Sequence, residues 1–341
     1  MNNRQWRLAE HPQGMPKEQN WSLHDAPIPE PGPGQILVRT QWLSLDPYMR
    51  GRISPSANYA KGVAIGEVMQ GGGLGEVLVS NHPDWKPGDL AEAMGFGWQE
   101  YVVLTPDLPG SAKANKVRSD LAPPQAALSW LGMPGLTAYV GMFEIGRPKP
   151  GDTLLVSAAS GAVGQIVGQI GKLSGARVIG IAGSDEKLAW CRSVGFDETI
   201  NYKTVNDLAG TLAAIAPGGI DVFFDNTGGP IHDAALRNLA TAARVVICGR
   251  IALANDFGQD DIGLRASSRL IVTRAMLQGL VVFDWWHKRD EAFARLARWH
   301  RDGRLQTKED VIDGFERVPE AFLRMMSGRN FGKQLVRLAS G

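Results

Sequence analysis

The sequence predicts an α/β protein in which a doubly wound parallel sheet is joined to a domain of short strands and turns. The first third of the chain reads as strands separated by turns, whereas strands and helices alternate from Pro123 onward. The last stretch, Val311 to Leu338, returns to strand-like runs around a helix from Pro319 to Met326. We therefore expect a first domain at 1–129, a parallel-sheet domain at 130–305 and a C-terminal return to the first domain at 306–341.

The first third carries strand and turn signals rather than helical periodicity. Gln35 to Trp42 alternates apolar and polar side chains over much of its length, and Trp98 to Leu104 is a further strand candidate. Asp84 to Asp89 contains proline and glycine and predicts a turn before another short strand. No helical pattern follows Gly71 to Gly75, so we interpret this segment as a flexible turn between strands rather than a phosphate loop.

The middle of the chain contains the strands of the predicted parallel sheet. Each candidate is a short run rich in apolar residues, and helical stretches separate most of them. The candidates are Leu154–Ser157, Arg177–Ala182, Glu198–Asn201, Asp221–Asp225, Arg244–Cys248 and Leu280–Phe283. This alternation is typical of βαβ units in a doubly wound sheet.

The turn after the first of these strands predicts a dinucleotide site. The helix that follows carries apolar residues at Val163, Ile166, Val167 and Ile170, the spacing of a helix packed on a sheet, and Gly175 suits its end. Free N–H groups and the positive end of the helix dipole would face a pyrophosphate there. The cofactor-binding candidates in this turn are Gly161, Ala162, Val163 and Gly164. Ala159 replaces the first glycine of the usual G-x-G-x-x-G, and a glycine turn can also serve packing alone.

The end of the next strand predicts that the dinucleotide is NADP(H). An NAD enzyme carries Asp or Glu there for the ribose 2′-hydroxyl, whereas this chain has Gly183 and Ser184, with Lys187 one helical turn later. A hydroxyl and an ammonium can bind a 2′-phosphate that a carboxylate would repel. The alternative is that Ser184 only caps a helix from Asp185 to Ser193 and that Lys187 is a solvated lysine; both roles can coexist.

Composition excludes several classes of protein. The net charge is +1 and no block of Lys and Arg stands out, so nucleic acid is not an expected partner. The N-terminal residues lack the apolar core of a signal peptide, and polar residues and glycines interrupt the long uncharged run from Thr153 to Gly171. We expect a cytoplasmic protein without a membrane span.

Metal chemistry has little support in the sequence. Cys191 and Cys248 are the only cysteines, and none of the six histidines forms an H-E-x-x-H or similar ligand group. We expect no metal site and two cysteines that act as small buried hydrophobes. Cys248 ends a predicted strand, which could bring it close to the cofactor.

Six short strings, in their order along the chain, resemble one family. They resemble the zinc-independent medium-chain dehydrogenases/reductases, in the branch of prostaglandin reductases, plant alkenal double-bond reductases and bacterial curcumin reductases. The strings are Leu45–Arg52, Gly132–Tyr139, the glycine turn 158–164, Gly183–Lys187, Asp225–Gly229 and Gly328–Lys333. The resemblance implies an N-terminal GroES-like β-barrel catalytic domain and a Rossmann domain, in a family where homodimers are common.

The resemblance also implies a function and residue roles. The function is NADPH-dependent reduction of a carbon–carbon double bond conjugated to a carbonyl, with a small apolar enone or alkenal as substrate. Lys187 and Tyr202 would hold the 2′-phosphate. The remaining cofactor-binding residues that the resemblance implies, several of them beside the nicotinamide, are Met133, Thr137, Asn226, Val282 and Asn330. Cys248 is added to them because of where its predicted strand ends.

A tyrosine is a suitable proton donor for such a reaction, because its phenol is neutral at pH 7. Of the five tyrosines, Tyr101 falls in a predicted strand, Tyr139 in a helix and Tyr202 at the cofactor phosphate. Tyr48 and Tyr59 remain as catalytic candidates, although a packed ring with a solvated hydroxyl explains each equally well.

The sequence departs from its relatives near the predicted substrate. Many relatives have a tyrosine where this chain reads Ala252 to Asn255, and mammalian relatives have Tyr-Arg-Trp where it reads Phe283 to Trp285. A quinone reductase would use the same NADPH site, and an NADP(H)-binding protein without catalysis is the alternative from another class.

Overall fold

The chain divides into two compact units. A computed structural model describes residues 2–55, 61–117, 119, 122–255 and 260–338. Unit 1 comprises Met1–Gly132, Ala254–Gly258 and Glu309–Gly341, and unit 2 comprises Met133–Leu253 and Gln259–Lys308. The sequence predicts domain boundaries at 129/130 and 305/306, whereas the chain passes from one unit to the other at 132/133 and 308/309.

The helices and strands follow the order expected for an α/β protein with a strand-rich first part. They are β1 (Asn2–Leu8), β2 (Trp21–Pro27), β3 (Ile36–Ser44), α1 (Tyr48–Arg52), β4 (Gly73–Ser80), β5 (Leu90–Ala93), β6 (Tyr101–Leu104), β7 (Asn115–Lys116), α2 (Met133–Val140), β8 (Thr153–Val156), α3 (Gly164–Leu173), β9 (Arg177–Ala182), α4 (Asp185–Ser193), β10 (Glu198–Asn201), α5 (Leu208–Ile215), β11 (Ile220–Asp225), α6 (Gly229–Arg237), β12 (Leu239–Ile247), α7 (Ser267–Thr273), β13 (Met276–Gly279), α8 (Arg289–Arg301), β14 (Glu309–Asp313), α9 (Val318–Met326) and β15 (Lys333–Arg337).

Unit 1 is built on a mostly antiparallel sheet. Its strands run in the order β14-β15-β3-β4-β5-β7, with β6 also paired to β3, and β1 and β2 form a separate hairpin-like pair. The C-terminal strands β14 and β15 are parallel to each other, and β15 is antiparallel to β3. The last part of the chain thus completes the sheet that the first part begins.

Unit 2 is the predicted doubly wound sheet. Its six strands run in the order β10-β9-β8-β11-β12-β13, and each neighbouring pair is parallel. Counted along the chain this order is 3-2-1-4-5-6, the Rossmann arrangement. Leu155, Ile179, Phe223 and Val245 on the central strands are all fully buried, as expected for a sheet covered on both faces.

One turn predicted from glycines is in fact a strand. Gly73 and Gly75, predicted to lie in a flexible turn, belong to β4. A Cβ added at Gly75 would lie 2.1 Å from the carbonyl oxygen of Arg39, and one at Gly73 would lie 2.7 Å from the Phe96 ring. The glycines therefore permit a close approach of neighbouring backbone and side chains, one of the roles glycine has in strands.

The last strand of the parallel sheet was also predicted wrongly. The sequence predicted a strand at Leu280–Phe283, whereas β13 occupies Met276–Gly279 and a 3₁₀ helix begins at Val282. Leu280 and Val282 are buried at this junction. A short buried run contains no periodicity that distinguishes strand from helical turn, so the apolar pattern alone could not decide.

Two buried glutamines on α3 hold the segment at the end of unit 2. The side-chain amide of Gln169 donates to Gln306 O (2.7 Å) and accepts from Gln306 N (2.8 Å). Gln165 forms the same pair of bonds with Lys308, at 3.1 Å and 2.9 Å. These bonds fix α3, the helix that begins at the glycine turn, against 306–308.

No helix within the described ranges is long and apolar enough to span a membrane. Within the same ranges, no group of three or more His, Cys, Asp or Glu side chains is placed to hold a metal ion.

Candidate active site

The glycine turn lies where the sequence predicts it, between β8 and α3. Ala158 adopts a left-handed conformation with a φ of 47°, and Ala159 N donates to Ile181 O of β9 at 2.9 Å. Gly164 must be a glycine, because a Cβ there would lie 2.3 Å from the carbonyl oxygen of Ala158. No side chain caps the N-terminus of α3. The N–H groups of 165–167 donate to backbone carbonyls of the turn, whereas within the described residues no hydrogen bond uses the N–H groups of 162–164. The latter three N–H groups and the positive end of the helix dipole are available to an anion such as a pyrophosphate.

The segment after β9 has the capping role that its sequence allows. Ser184 is the N-cap of α4, and its Oγ accepts a hydrogen bond from Lys187 N at 3.4 Å. A Cβ at Gly183 would lie 2.9 Å from Cε1 of Tyr202, so the absence of a side chain lets this ring approach the end of β9. The structure thus brings Gly183, Ser184, Lys187 and Tyr202 together at one strand end, with no Asp or Glu in the position that an NAD enzyme uses.

A hydrogen-bond network at the end of β11 positions Asn226. The buried carboxylate of Asp225 accepts from Ser157 Oγ (2.9 Å), from the N–H groups of Thr227 (2.9 Å) and Gly228 (3.1 Å), and from His232 Nδ1 (2.8 Å). Ser157 Oγ in turn accepts from Asn226 N at 2.8 Å, and Ser157 O accepts from the Asn226 amide at 2.7 Å. The carboxylate therefore ties the end of β8 to the loop that follows β11.

Asp225 and His232 stabilise each other's charged forms. Burial by itself would raise the pKa of Asp225, but the hydrogen bonds from His232, Thr227 and Gly228 together lower it below its usual range. The hydrogen bond to Asp225 raises the pKa of His232, in spite of the opposing effect of burial. No sequence pattern predicted this pair, and only Asp225 belongs to one of the strings that carry the family resemblance.

Cys248 follows β12 directly and is joined to the same network. Its N–H donates to Asp225 O at 2.8 Å. Although the residue as a whole is partly exposed, burial of the thiol and the nearby Asp225 charge raise its pKa to about 12. The pKa of buried Cys191 is also raised to about 12 by burial. Both cysteines are free thiols, and neither is activated as a nucleophile.

The other predicted residues of unit 2 lie on helical turns. Met133 is the first residue of α2, and Thr137, one turn later, donates its hydroxyl to Met133 O at 2.8 Å. That hydrogen bond occupies the only hydroxyl donor of Thr137, so its methyl group and oxygen lone pairs remain for other contacts. Val282 is the buried first residue of the 3₁₀ helix that replaces the predicted strand.

Of the two catalytic candidates, only Tyr48 lies in the described part of the chain. It is the first residue of α1 and is partly buried, and the guanidinium of Arg52 lies 5.5 Å from the centre of its ring. Tyr59 lies outside the described residues.

A buried lysine in unit 1 joins the segments that carry Tyr48 and Asn330. Lys333 Nζ donates to Leu45 O at 2.8 Å and to Asp46 Oδ1 at 2.5 Å, and Asp46 also accepts from Ser44 Oγ. Burial lowers the pKa of Lys333, and the Asp46 carboxylate opposes this effect. The chain before Tyr48 is thereby bonded to the start of β15.

The side chain of Asn330 is oriented by its own turn. Its amide donates to Gly332 O at 2.9 Å, and the neighbouring Phe331 N donates to Asp310 Oδ2 at 2.8 Å. Lys333 and Asp46 belong to the strings that carry the family resemblance, but no role could be given to them before their contacts were known.

Comparison with known proteins identifies the family. The family described as the N-terminal domain of oxidoreductase matches residues 4–109, and that described as zinc-binding dehydrogenase matches residues 162–298. NADPH-dependent curcumin reductase of Escherichia coli (strain K12) is 40% identical over 344 residues, which cover 99% of this chain and 97% of that protein. The 2-alkenal reductase (NADP(+)-dependent) of Nicotiana tabacum is 38% identical over 345 residues, which cover 99% and 98%.

A solved structure agrees over the whole chain. The crystal structure of CurA in complex with NADPH from Vibrio vulnificus superposes with a TM-score of 0.92 at 40% identity, and the match covers 99% of this chain and 100% of that one. The chain belongs to the medium-chain dehydrogenases/reductases. It falls in their zinc-independent branch, with the curcumin, alkenal and prostaglandin reductases.

Membership of this branch confirms the cofactor and the class of activity. The protein is an NADP-dependent oxidoreductase with a GroES-like and a Rossmann domain. The residues of unit 2 fit this cofactor, because the N-terminus of α3 is uncapped and the end of β9 combines a lysine, a hydroxyl and a phenol.

Proposed function

We propose that this enzyme reduces the carbon–carbon double bond of α,β-unsaturated aldehydes and ketones. The observation that carries the proposal is full-length similarity to reductases named for curcumin and 2-alkenals, combined with Gly183 and Ser184 in the position where NAD enzymes have a carboxylate. NADPH, when bound, supplies a hydride, which in this reaction goes to the β-carbon of the substrate.

The proposal gives each candidate cofactor residue a task. Gly183, Ser184, Lys187 and Tyr202 would bind the 2′-phosphate, and Gly161–Gly164 would bind the pyrophosphate through backbone N–H groups. The residues assigned to the rest of the cofactor are Met133, Thr137, Asn226, Cys248, Val282 and Asn330. The Asp225 network supports this assignment, because it orients Asn226 by three hydrogen bonds through Ser157.

The protein would have two further tasks in the reaction. It must stabilise the negative charge that develops on the carbonyl oxygen, and it must allow a proton to reach the α-carbon. We assign these tasks to Tyr48 or Tyr59. The Arg52 guanidinium over the Tyr48 ring favours negative charge on its oxygen, which is what a proton donor requires as it loses the proton. Water can replace the phenol as proton source.

A substrate panel tests the proposal. With NADPH in excess, trans-2-alkenals and conjugated enones should be turned over, and saturated aldehydes of the same chain length should not. If quinones are reduced with a higher kcat/KM than every enone, the enzyme is a quinone reductase that shares the cofactor site. Stoichiometric NADPH binding without turnover of any acceptor would leave only a binding function.

We also propose that the enzyme forms a homodimer through the edge of the parallel sheet. β13 is the last strand in the sheet order, and the nearby side chains of Ile271, Val272 and Met276 are 77%, 65% and 40% exposed. A second copy would present the same edge, which is the self-complementary arrangement of a twofold interface. Light scattering should give twice the mass of the chain, and Ile271→Asp should reduce it to one.

A further inference from the structure

We propose that Lys203 is a second ammonium group for the 2′-phosphate and that it contributes to the preference for NADPH over NADH. This inference rests on the proposed phosphate site at the end of β9. The family resemblance implies this role for Lys187 and Tyr202 but not for Lys203, which follows Tyr202 in the sequence.

The first observation is the direction of the Lys203 side chain. A Cβ added at Gly183 would lie 3.1 Å from Cε of Lys203 and 3.1 Å from the phenol oxygen of Tyr202. The end of the aliphatic chain of Lys203 therefore lies beside the backbone at the end of β9, although the residue as a whole is exposed. Its ammonium lies 6.0 Å from the centre of the Tyr202 ring. Any side chain at Gly183 would displace both residues.

The second observation is that the backbone of Lys203 is fixed to the helix that follows β9. Lys203 N donates to Oδ1 of Asn201 at 3.1 Å, and the amide of Asn201 donates to Asp185 Oδ1 at 2.9 Å. Asp185 is the first residue of α4, next to Ser184. The turn 201–203 is therefore hydrogen-bonded to the N-terminal end of α4. Lys203 lies close to Ser184 and Lys187 for this reason.

The third observation is the local balance of charge. Asp185 and Glu186 place two carboxylates in the first turn of α4, where a phosphate of charge about −2 would bind. Lys187 alone would not offset these carboxylates and the phosphate. Lys203 makes no ion pair with any carboxylate of the described residues, so its charge is available. Two lysines from different segments can together enclose the phosphate, each as a point charge.

The test compares two nucleotides that differ only in the 2′-phosphate. Binding of adenosine 2′,5′-bisphosphate and of 5′-AMP is measured by calorimetry for the wild type, Lys203→Met and Lys187→Met. Lys149→Met is the matched control, because this exposed lysine precedes the N-terminal end of β8, whereas the proposed site lies at the C-terminal end of the parallel strand β9. Methionine keeps the aliphatic packing and removes only the charge. We expect Lys203→Met to weaken binding of the bisphosphate by about threefold to thirtyfold and to change 5′-AMP binding by less than about twofold.

The dependence on salt provides a second readout. Affinity for the bisphosphate should fall less steeply with added KCl in Lys203→Met than in the wild type, because one charge pair is missing. Bisphosphate affinity equal to that of Lys149→Met would overturn the role of Lys203. If Lys187→Met is still weakened in that case, the proposed phosphate site stands without Lys203. If neither variant is weakened, both the inference and the phosphate site are wrong.

Discussion

The choice of proton donor depends on single residues in unit 1. Tyr48→Phe keeps the ring under Arg52 and removes only the hydroxyl. If the phenol acts in the transition state, kcat on a good enone should fall by about tenfold to a thousandfold, with NADPH affinity unchanged. Because water can also donate the proton, we expect the fall in kcat to lie near the lower end of this range.

The matched variants for this prediction are Tyr59→Phe and the double variant. A loss in one single variant that the double variant does not increase identifies the donor. Wild-type kcat in all three variants would show that neither phenol is catalytic, and the enzyme would then only position the substrate.

The pair of Asp225 and His232 makes stability depend on pH. The pKa of His232 is raised above 6.5, so its stabilising effect is complete below that pH and is lost as the pH rises through the folded-state value. The pKa of Asp225 is lowered below 3.8, so its contribution is present above that pH and is lost on acidification. The pair should stabilise most strongly between these limits.

His232→Asn tests this pH dependence, because asparagine can keep a hydrogen bond to Asp225 but does not titrate. Between about pH 6 and pH 9 the free energy of unfolding of the wild type should fall relative to that of the variant. His24→Asn, at an exposed histidine of unit 1, is the control. A difference that stays constant over this range would contradict the account.

At the scale of elements, local signals predicted most of unit 2. The bounds of β9, α4 and β10 agree with the sequence prediction, because caps, glycines and β-branched runs mark their ends. β4 and β13 were misjudged because their conformation depends on contacts with distant residues. Gly75 faces Arg39 O on another strand, and the run from Leu280 to Phe283 is apolar whether it is a strand or a helical turn.

The glutamine pair on α3 gives a prediction at this scale. Gln169→Leu leaves both the N–H and the carbonyl of Gln306 without their side-chain partner. We expect the free energy of unfolding to fall by about 2 to 4 kcal/mol, because partly buried backbone groups lose hydrogen bonds. Urea denaturation followed by tryptophan fluorescence measures it, with Gln13→Leu at an exposed position as control. A loss no larger than the control's would show that 306–308 is held by other contacts.

At the scale of the whole molecule, the sequence predicts a dinucleotide site but not the hydrogen bonds between distant residues that hold this site in place. The glycine turn and the end of β9 lie in the fold where the sequence predicts them, because each is a continuous motif. The Asp225 network and the bonds of Lys333 join residues 68 and 287 positions apart, as in the pairs Ser157–Asp225 and Asp46–Lys333. One sequence without its fold contains no signal for such pairs. The sequence likewise contains no signal for Lys203. Only its approach to Gly183, twenty residues earlier, distinguishes it from other surface lysines.

The most direct test of the central claim is the fate of a deuterium label. NADPH carrying deuterium at both hydrogen positions of C4 of the nicotinamide is incubated with the enzyme and a conjugated enone, and the product is analysed by NMR and mass spectrometry. The account predicts a saturated ketone with one deuterium at the β-carbon and a proton from solvent at the α-carbon. An allylic alcohol with deuterium at the carbonyl carbon, or no labelled product from any enone, would contradict it.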